Sequence, residues 1–175
     1  MQNEETKKTH MDIFVEFLIK NKDDSAIMSK LRRGLNNPMQ SPELFSVVIP
    51  RLPQFDEKER YKEQPYFMVA ALFSFHPENS DDGTLGKSYR ALKKGDDTDE
   101  AVEKRFTNLL NAHGEDLYVH LRQVVSILKS KDIKINWKQL IKDISYWSHE
   151  SKFIQKNWAR DFWSYQKNNQ NNEKE

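Results

Sequence analysis

Apolar residues in this chain recur every three or four positions in short segments set apart by polar punctuation, and that period predicts helix after helix. The clearest case runs from Val102 to Lys129. Val102, Phe106, Leu109 and Leu110 make one stripe; Leu117, Leu121, Val124, Val125 and Leu128 make a second; His113-Gly114 breaks the two helices apart. An arginine lies beside each stripe, Arg105 on the first helix and Arg122 on the second.

Caps and breakers place the other elements. Thr9 caps a helix over His10 to Asn21, with Met11, Phe14, Val15 and Leu18 inward. A second helix from Ser25 buries Ile27, Met28 and Leu31 and ends at Gly34, expected in the left-handed conformation. Ser41-Pro42 pairs a cap with a first-turn proline and opens a short helix to Val48. Pro50 and Pro53 leave Arg51 in an extended connection, and Asp56 to Glu63 is expected to form a charged turn. Pro65 then opens PYFMVAALFSFH, which is apolar nearly all round and therefore belongs in the middle of a bundle.

Pro77 to Thr84 reads as a solvent loop. Leu85 to Lys94 reads as a basic helix, with Leu85, Tyr89 and Leu92 inward and Gly95 as terminator. Asp97, with Glu100 three residues on, caps the helix that carries Arg105. Asn136 caps a helix turning Trp137, Leu140, Ile141 and Ile144 inward, and a last helix from about Glu150 packs Ile154, Trp158 and Phe162. The sum is an all-α helical bundle of about eight or nine helices in two packed sub-bundles, 1–95 and 96–165. The tail at 166–175 is too polar to pack and is expected to be disordered.

Composition supports that reading. Of 175 residues only five are Gly and six are Pro, and ten Phe, six Tyr and four Trp can fill a core. No cysteine is present, so disulfides and thiolate chemistry are excluded, which fits a reducing cytoplasm. The first residues lack a signal-peptide core, and no apolar run approaches the ~20 residues a membrane helix needs. The expected location is cytoplasmic, with no membrane partner.

A net charge of +1 hides an uneven distribution. Glu78, Asp81 and Asp82, then Asp96 to Glu103, are acidic; Lys87, Arg90, Lys93 and Lys94, then Lys129, Lys131, Lys134 and Lys138, are basic. Neutral overall and basic locally is compatible with a phosphate-binding stripe, though on charge alone ordinary solvated faces are the better reading.

Candidate chemistry is sparse. There is no glycine-rich phosphate loop; Gly83 and Gly86 merely sit where a polar loop enters the basic helix. His113, Asp116 and His120 are the only metal-like grouping, and the helix break separates the first from the others. No Ser or Thr has a base and orienter at a telling spacing. No catalytic residue, metal or cofactor is assigned. Trp137, Trp147, Trp158 and Trp163 could stack on bases, but they fall within apolar stripes and read better as core. That leaves Arg32, Arg33, Arg51, Arg90, Arg105 and Arg122, on or beside helices and largely without an acid at the next turn. Guanidinium groups grip phosphates with paired hydrogen bonds. Taken singly, each is an ordinary surface arginine.

Read in order, the segments carry more. LRRGL (31–35), ALFSFHP (71–77), LGKSYRALKK (85–94), EKRFTNLLNA (103–112), LYVHLRQVVSILKS (117–130), INWKQLIKDISYW (135–147) and WARDFW (158–163) together resemble the CasB family. That family is the small subunit of the type I-E CRISPR surveillance complex, Cascade. The resemblance implies an all-helical, non-enzymatic protein that lies beside the guide RNA as two copies, head to tail, among other Cascade subunits. It implies antiviral defence through binding of nucleic-acid backbone, stabilising the guide–target hybrid and the displaced DNA strand. The family's basic residues match here at Arg32, Arg33, Lys87, Arg105 and Arg122; Arg51 and Arg90 join them as candidates on position alone. Where relatives often carry a second arginine after the last of these, this chain has Gln123. A stand-alone helical regulator or scaffold, using its basic faces for protein contacts, is the alternative; co-purification in a large ribonucleoprotein separates the two.

Overall fold

The computed structural model describes residues 8–93 and 100–164. Nine α-helices lie within them, with no strand: α1 (His10–Lys20), α2 (Ser25–Arg33), α3 (Pro42–Val48), α4 (Gln64–Phe75), α5 (Leu85–Arg90), α6 (Glu100–Asn111), α7 (Asp116–Ser130), α8 (Trp137–Ser145) and α9 (Phe153–Trp163). The all-α bundle predicted from the periodicity is the fold found. The expected boundary between 95 and 96, Gly95 as terminator, the Asp97 cap and the polar tail from Gln166 lie outside the described residues.

α4 is the axis. Every residue from Pro65 to Ser74 is buried, as its unbroken apolar sequence requires, and α2, α3, α7 and α8 pack around it. One hydrophobic cluster runs from Phe14 on α1 to Phe162 on α9. Beyond α4, the most extensive helix pair is α5 with α9, which joins residues far apart in the chain. There Tyr89, Phe106 and Phe162 form an aromatic stack, Phe106 and Phe162 lying 4.3 Å apart between ring centres.

The caps fall where expected. Thr9 and Asp12 form a reciprocal capping box, and Ser41 and Asn136 each accept a backbone N–H in the first turn of their helices; Thr84, read only as the end of a loop, caps α5 in the same way. Five expectations change. Gly34 is not left-handed (φ −80°); glycine is favoured because a Cβ there would crowd the Leu44 side chain, 2.4 Å from Cδ2 and 3.1 Å from Cβ, where α3 packs on α2. Pro77 to Thr84 is not a free loop: Ser80 N–H donates to Ile135 O, Ile135 N–H to Glu78 O and Trp137 Nε1–H to Glu78 O. The last helix begins at Phe153, not near Glu150, because Lys152 takes a positive φ of 51° and turns the chain first. Asp56 to Glu63 is more ordered than a turn, a 3-10 run over Glu57–Glu63, and Arg51 ends another such turn.

The four tryptophans confirm the core reading for three. Trp137, Trp147 and Trp158 are buried, while Trp163 is 36% exposed and donates Nε1–H to Glu103.

Candidate nucleic-acid interface

The amphipathic pair α6 and α7 puts its apolar stripes into the core and leaves its arginines on the outer side. Phe106 and Leu109 are buried on α6, and Leu121, Val124, Val125 and Leu128 on α7. Arg105 precedes Phe106, and Arg122 follows Leu121, so both are rotated off the stripe. They line one groove of about 520 Å³ together with Asn36, Tyr118, Val119, Gln123, Ser126 and Ile127.

The electrostatics of that groove are lopsided. Arg105 is exposed and makes no ion pair among the described residues. Arg122 is half-buried, and its Nη1–H donates to Asn36 Oδ1 at 2.9 Å, a neutral acceptor that leaves the positive charge uncompensated. Beneath them Tyr118 O–H donates to Leu35 O at 2.9 Å, tying the loop after α2 to α7. Burial pushes the Tyr118 phenol well above its ordinary value, opposed only in part by Arg122, so it stays a donor.

The other candidates are held differently. Arg33 is exposed at the end of α2 and has no hydrogen-bond or ion-pair partner among the described residues. Its neighbour Arg32 donates from Nη2 to Ser74 O at 3.3 Å, satisfying a carbonyl near the end of α4. Arg51 donates to Val47 O at 2.6 Å, and its guanidinium lies 3.8 Å over the Phe17 ring. Lys87 is paired with Asp82, and that contact holds the Asp82 carboxyl below its ordinary range. Arg90 donates to the Ser164 hydroxyl. The structure thus joins Arg105 and Arg122 in one groove; Arg32 and Arg33 sit just before the loop bearing Asn36, and Arg51, Lys87 and Arg90 do not line it.

Sequence reasoning missed Asn36 and Tyr118. Both act across more than eighty residues of chain, and nothing local in LRRGLNNP links Asn36 to Arg122. No three His, Cys, Asp or Glu residues converge as a metal would need among the described residues, so His113, Asp116 and His120 do not form such a group. No helix there is long and apolar enough to cross a membrane.

A small all-α bundle with an uncompensated basic groove defines a class, and comparison narrows it. Residues 28–163 match the sequence profile of the family described as CRISPR-associated protein Cse2, and the chain belongs to that family. It is 29% identical to a CRISPR-associated protein Cse2 of Thermus thermophilus over 141 residues, 79% of each chain. It superposes on a crystal structure of M. ruber CasB with a TM-score of 0.75 and 29% identity, covering 90% of this chain and 94% of that one. A chain of a CRISPR RNA-guided surveillance complex shares the fold, with a TM-score of 0.74 and 24% identity over 87% of this chain and 91% of the other.

Proposed function

We propose that this protein is a non-catalytic small subunit of a type I-E Cascade complex that binds nucleic-acid backbone and stabilises the R-loop. Its partners in that role are the other Cascade subunits, the guide RNA, the target and displaced DNA strands, and a second copy head to tail. Family membership supports the assembly. The observation that carries the binding role is the pair Arg105 and Arg122, facing one groove with no carboxylate partner among the described residues.

The physics fits such a role. Guide–target pairing reads the sequence, so the protein needs only to recognise phosphates. Two guanidiniums from different helices make a site that a phosphate chain can follow. Because the net charge is only +1, long-range attraction for free nucleic acid is weak, and the groove works once assembly aligns it.

Replacing Arg32, Arg105 and Arg122 together by alanine, in a complex that retains the variant, tests this. Each lost phosphate contact lowers the slope of log affinity against log salt by about 0.9, or about 3.5-fold in affinity across a fourfold change in salt. Target-DNA binding indistinguishable from the parent, at every salt concentration, would refute the role of these residues.

A further inference from the structure

We infer that Asn36 is a positioning residue of the basic groove: its neutral side chain orients Arg122 toward phosphate while leaving the guanidinium charge free. The inference rests on the phosphate-binding reading of Arg122. Asn36 comes from the loop after α2, and Arg122 from the middle of α7, eighty-six positions later. An arginine only donates, so Asn36 must present Oδ1 to it, at 2.9 Å, and its amide nitrogen is then turned away from Arg122. That nitrogen has no partner among the described residues and can donate to the same phosphate.

Three features make the arrangement more than a surface contact. The loop bearing Asn36 is pinned, because the buried Tyr118 hydroxyl holds Leu35 O at 2.9 Å on the same helix that carries Arg122. Asn36 lines the groove beside Arg105 and Arg122, so the asparagine is part of its wall. The choice of an amide matters most. Arg160 donates to a neutral amide, Asn157 Oδ1, at 3.0 Å, whereas Lys87, Lys62 and Lys8 are each paired with a carboxylate, Asp82, Glu59 and Glu16. Arg122, like Arg160, is held by a group with the geometry of a carboxylate and none of its charge. A long flexible cation held in place before the ligand arrives loses less freedom on binding. A carboxylate at the same point would fix the side chain equally well and cancel its attraction for phosphate.

The two contributions separate experimentally. The assembled complex is prepared with the parent subunit and with Asn36→Ala, Asn36→Asp, Tyr118→Phe and Arg122→Ala, and binding of a duplex DNA bearing the guide-matched target is titrated across salt concentrations. Asn36→Ala removes the orientation and leaves the charge, so binding weakens about three- to tenfold with the parental salt slope. Tyr118→Phe, which frees the loop without altering charge, weakens binding in the same direction with the same slope. Asn36→Asp neutralises Arg122 in place, so the slope falls by about one unit, as in Arg122→Ala. Asn36 is exposed, and melting temperatures of its two variants equal to the parent's accompany these results. Parental affinity in Asn36→Ala, or a parental slope in Asn36→Asp while Arg122→Ala loses its unit, overturns the role of Asn36. An Arg122→Ala complex that binds like the parent overturns instead the phosphate role of Arg122 on which the inference stands.

Discussion

Replacing Gly86 by alanine probes the contact between α5 and α9, the most extensive helix pair in the bundle. Gly86 is buried, and a Cβ built on it would lie 2.4 Å from Trp158 O, 2.8 Å from its Cα and 3.0 Å from its carbonyl carbon. All three are backbone atoms, so no side chain can rotate away. Ordinary contact begins at 3.4 Å, and the helices would have to part by about 1 Å. That separation loosens Tyr89 and Phe162 on the two facing surfaces, together with Phe106, whose ring packs against both. Overpacking of this kind costs about 3 kcal/mol when only backbone can yield. Alanine's better helix propensity and its stiffer unfolded chain return about 1 kcal/mol. The net loss of about 2 kcal/mol corresponds to a melting temperature lower by about 4–8 °C for a chain of this size. Thermal unfolding followed by circular dichroism measures it. Gly114→Ala is the control: its φ of +52° is unfavourable for alanine, but no atom lies within 4 Å, so only about 1 kcal/mol of backbone strain is expected. If Gly86→Ala melts within about 1 °C of the parent, the helices are not in the close register described and the argument fails.

Two further predictions concern charges held in contrasting ways. Asp143 is buried and accepts from Trp158 Nε1 at 2.6 Å and Gln139 Nε2 at 2.8 Å; burial raises its pKa above the ordinary value despite those donors. A carboxyl raised in the folded state lends stability below its unfolded value of 3.8, and that contribution is lost as pH rises through the folded value. Asp143→Asn, with Gln139 turned to accept, therefore gains on the parent as pH rises from 4 towards 7, while Asp143→Ala strands two donors and costs about 2 kcal/mol near pH 4, a cost that shrinks as pH rises; denaturant midpoints across pH decide both. Lys87 is proposed to contact nucleic acid, yet Asp82 now holds it. Asp82→Asn should steepen the salt dependence of target binding by up to about one unit, and an unchanged slope would remove Lys87 from the interface.

Much of this fold was legible in the chain because its signals are local. The all-round apolarity of Pro65 to Phe75 could be satisfied only by a helix enclosed on every side, and α4 is enclosed. Thr9, Ser41 and Asn136 mark helix starts because a short side-chain oxygen reaches an amide two or three residues away. The errors came where a residue's reason was distant. Gly34 stands where it does because a Cβ would crowd Leu44, which the chain near Gly34 does not disclose. The segment from Pro77 looks like solvent loop because its polar residues are evident and its partner Ile135, more than fifty residues on, is not.

The candidate site divides in the same way. That Arg105 and Arg122 stand outside the core follows from helical periodicity, since each is one step from a buried stripe residue. Their grouping with Arg32, Arg33 and Lys87 was an expectation from the resemblance of the motifs to a family, which periodicity alone does not supply. Tertiary packing alone decided which cations remain uncompensated. It set Lys87 against Asp82, laid Arg51 over Phe17, turned Arg32 to a carbonyl of α4, and gave Arg122 a neutral partner in Asn36. Periodicity specifies the face on which a charge stands, because the helix repeat is local; whether that charge is free depends on which distant segment the core brings beside it.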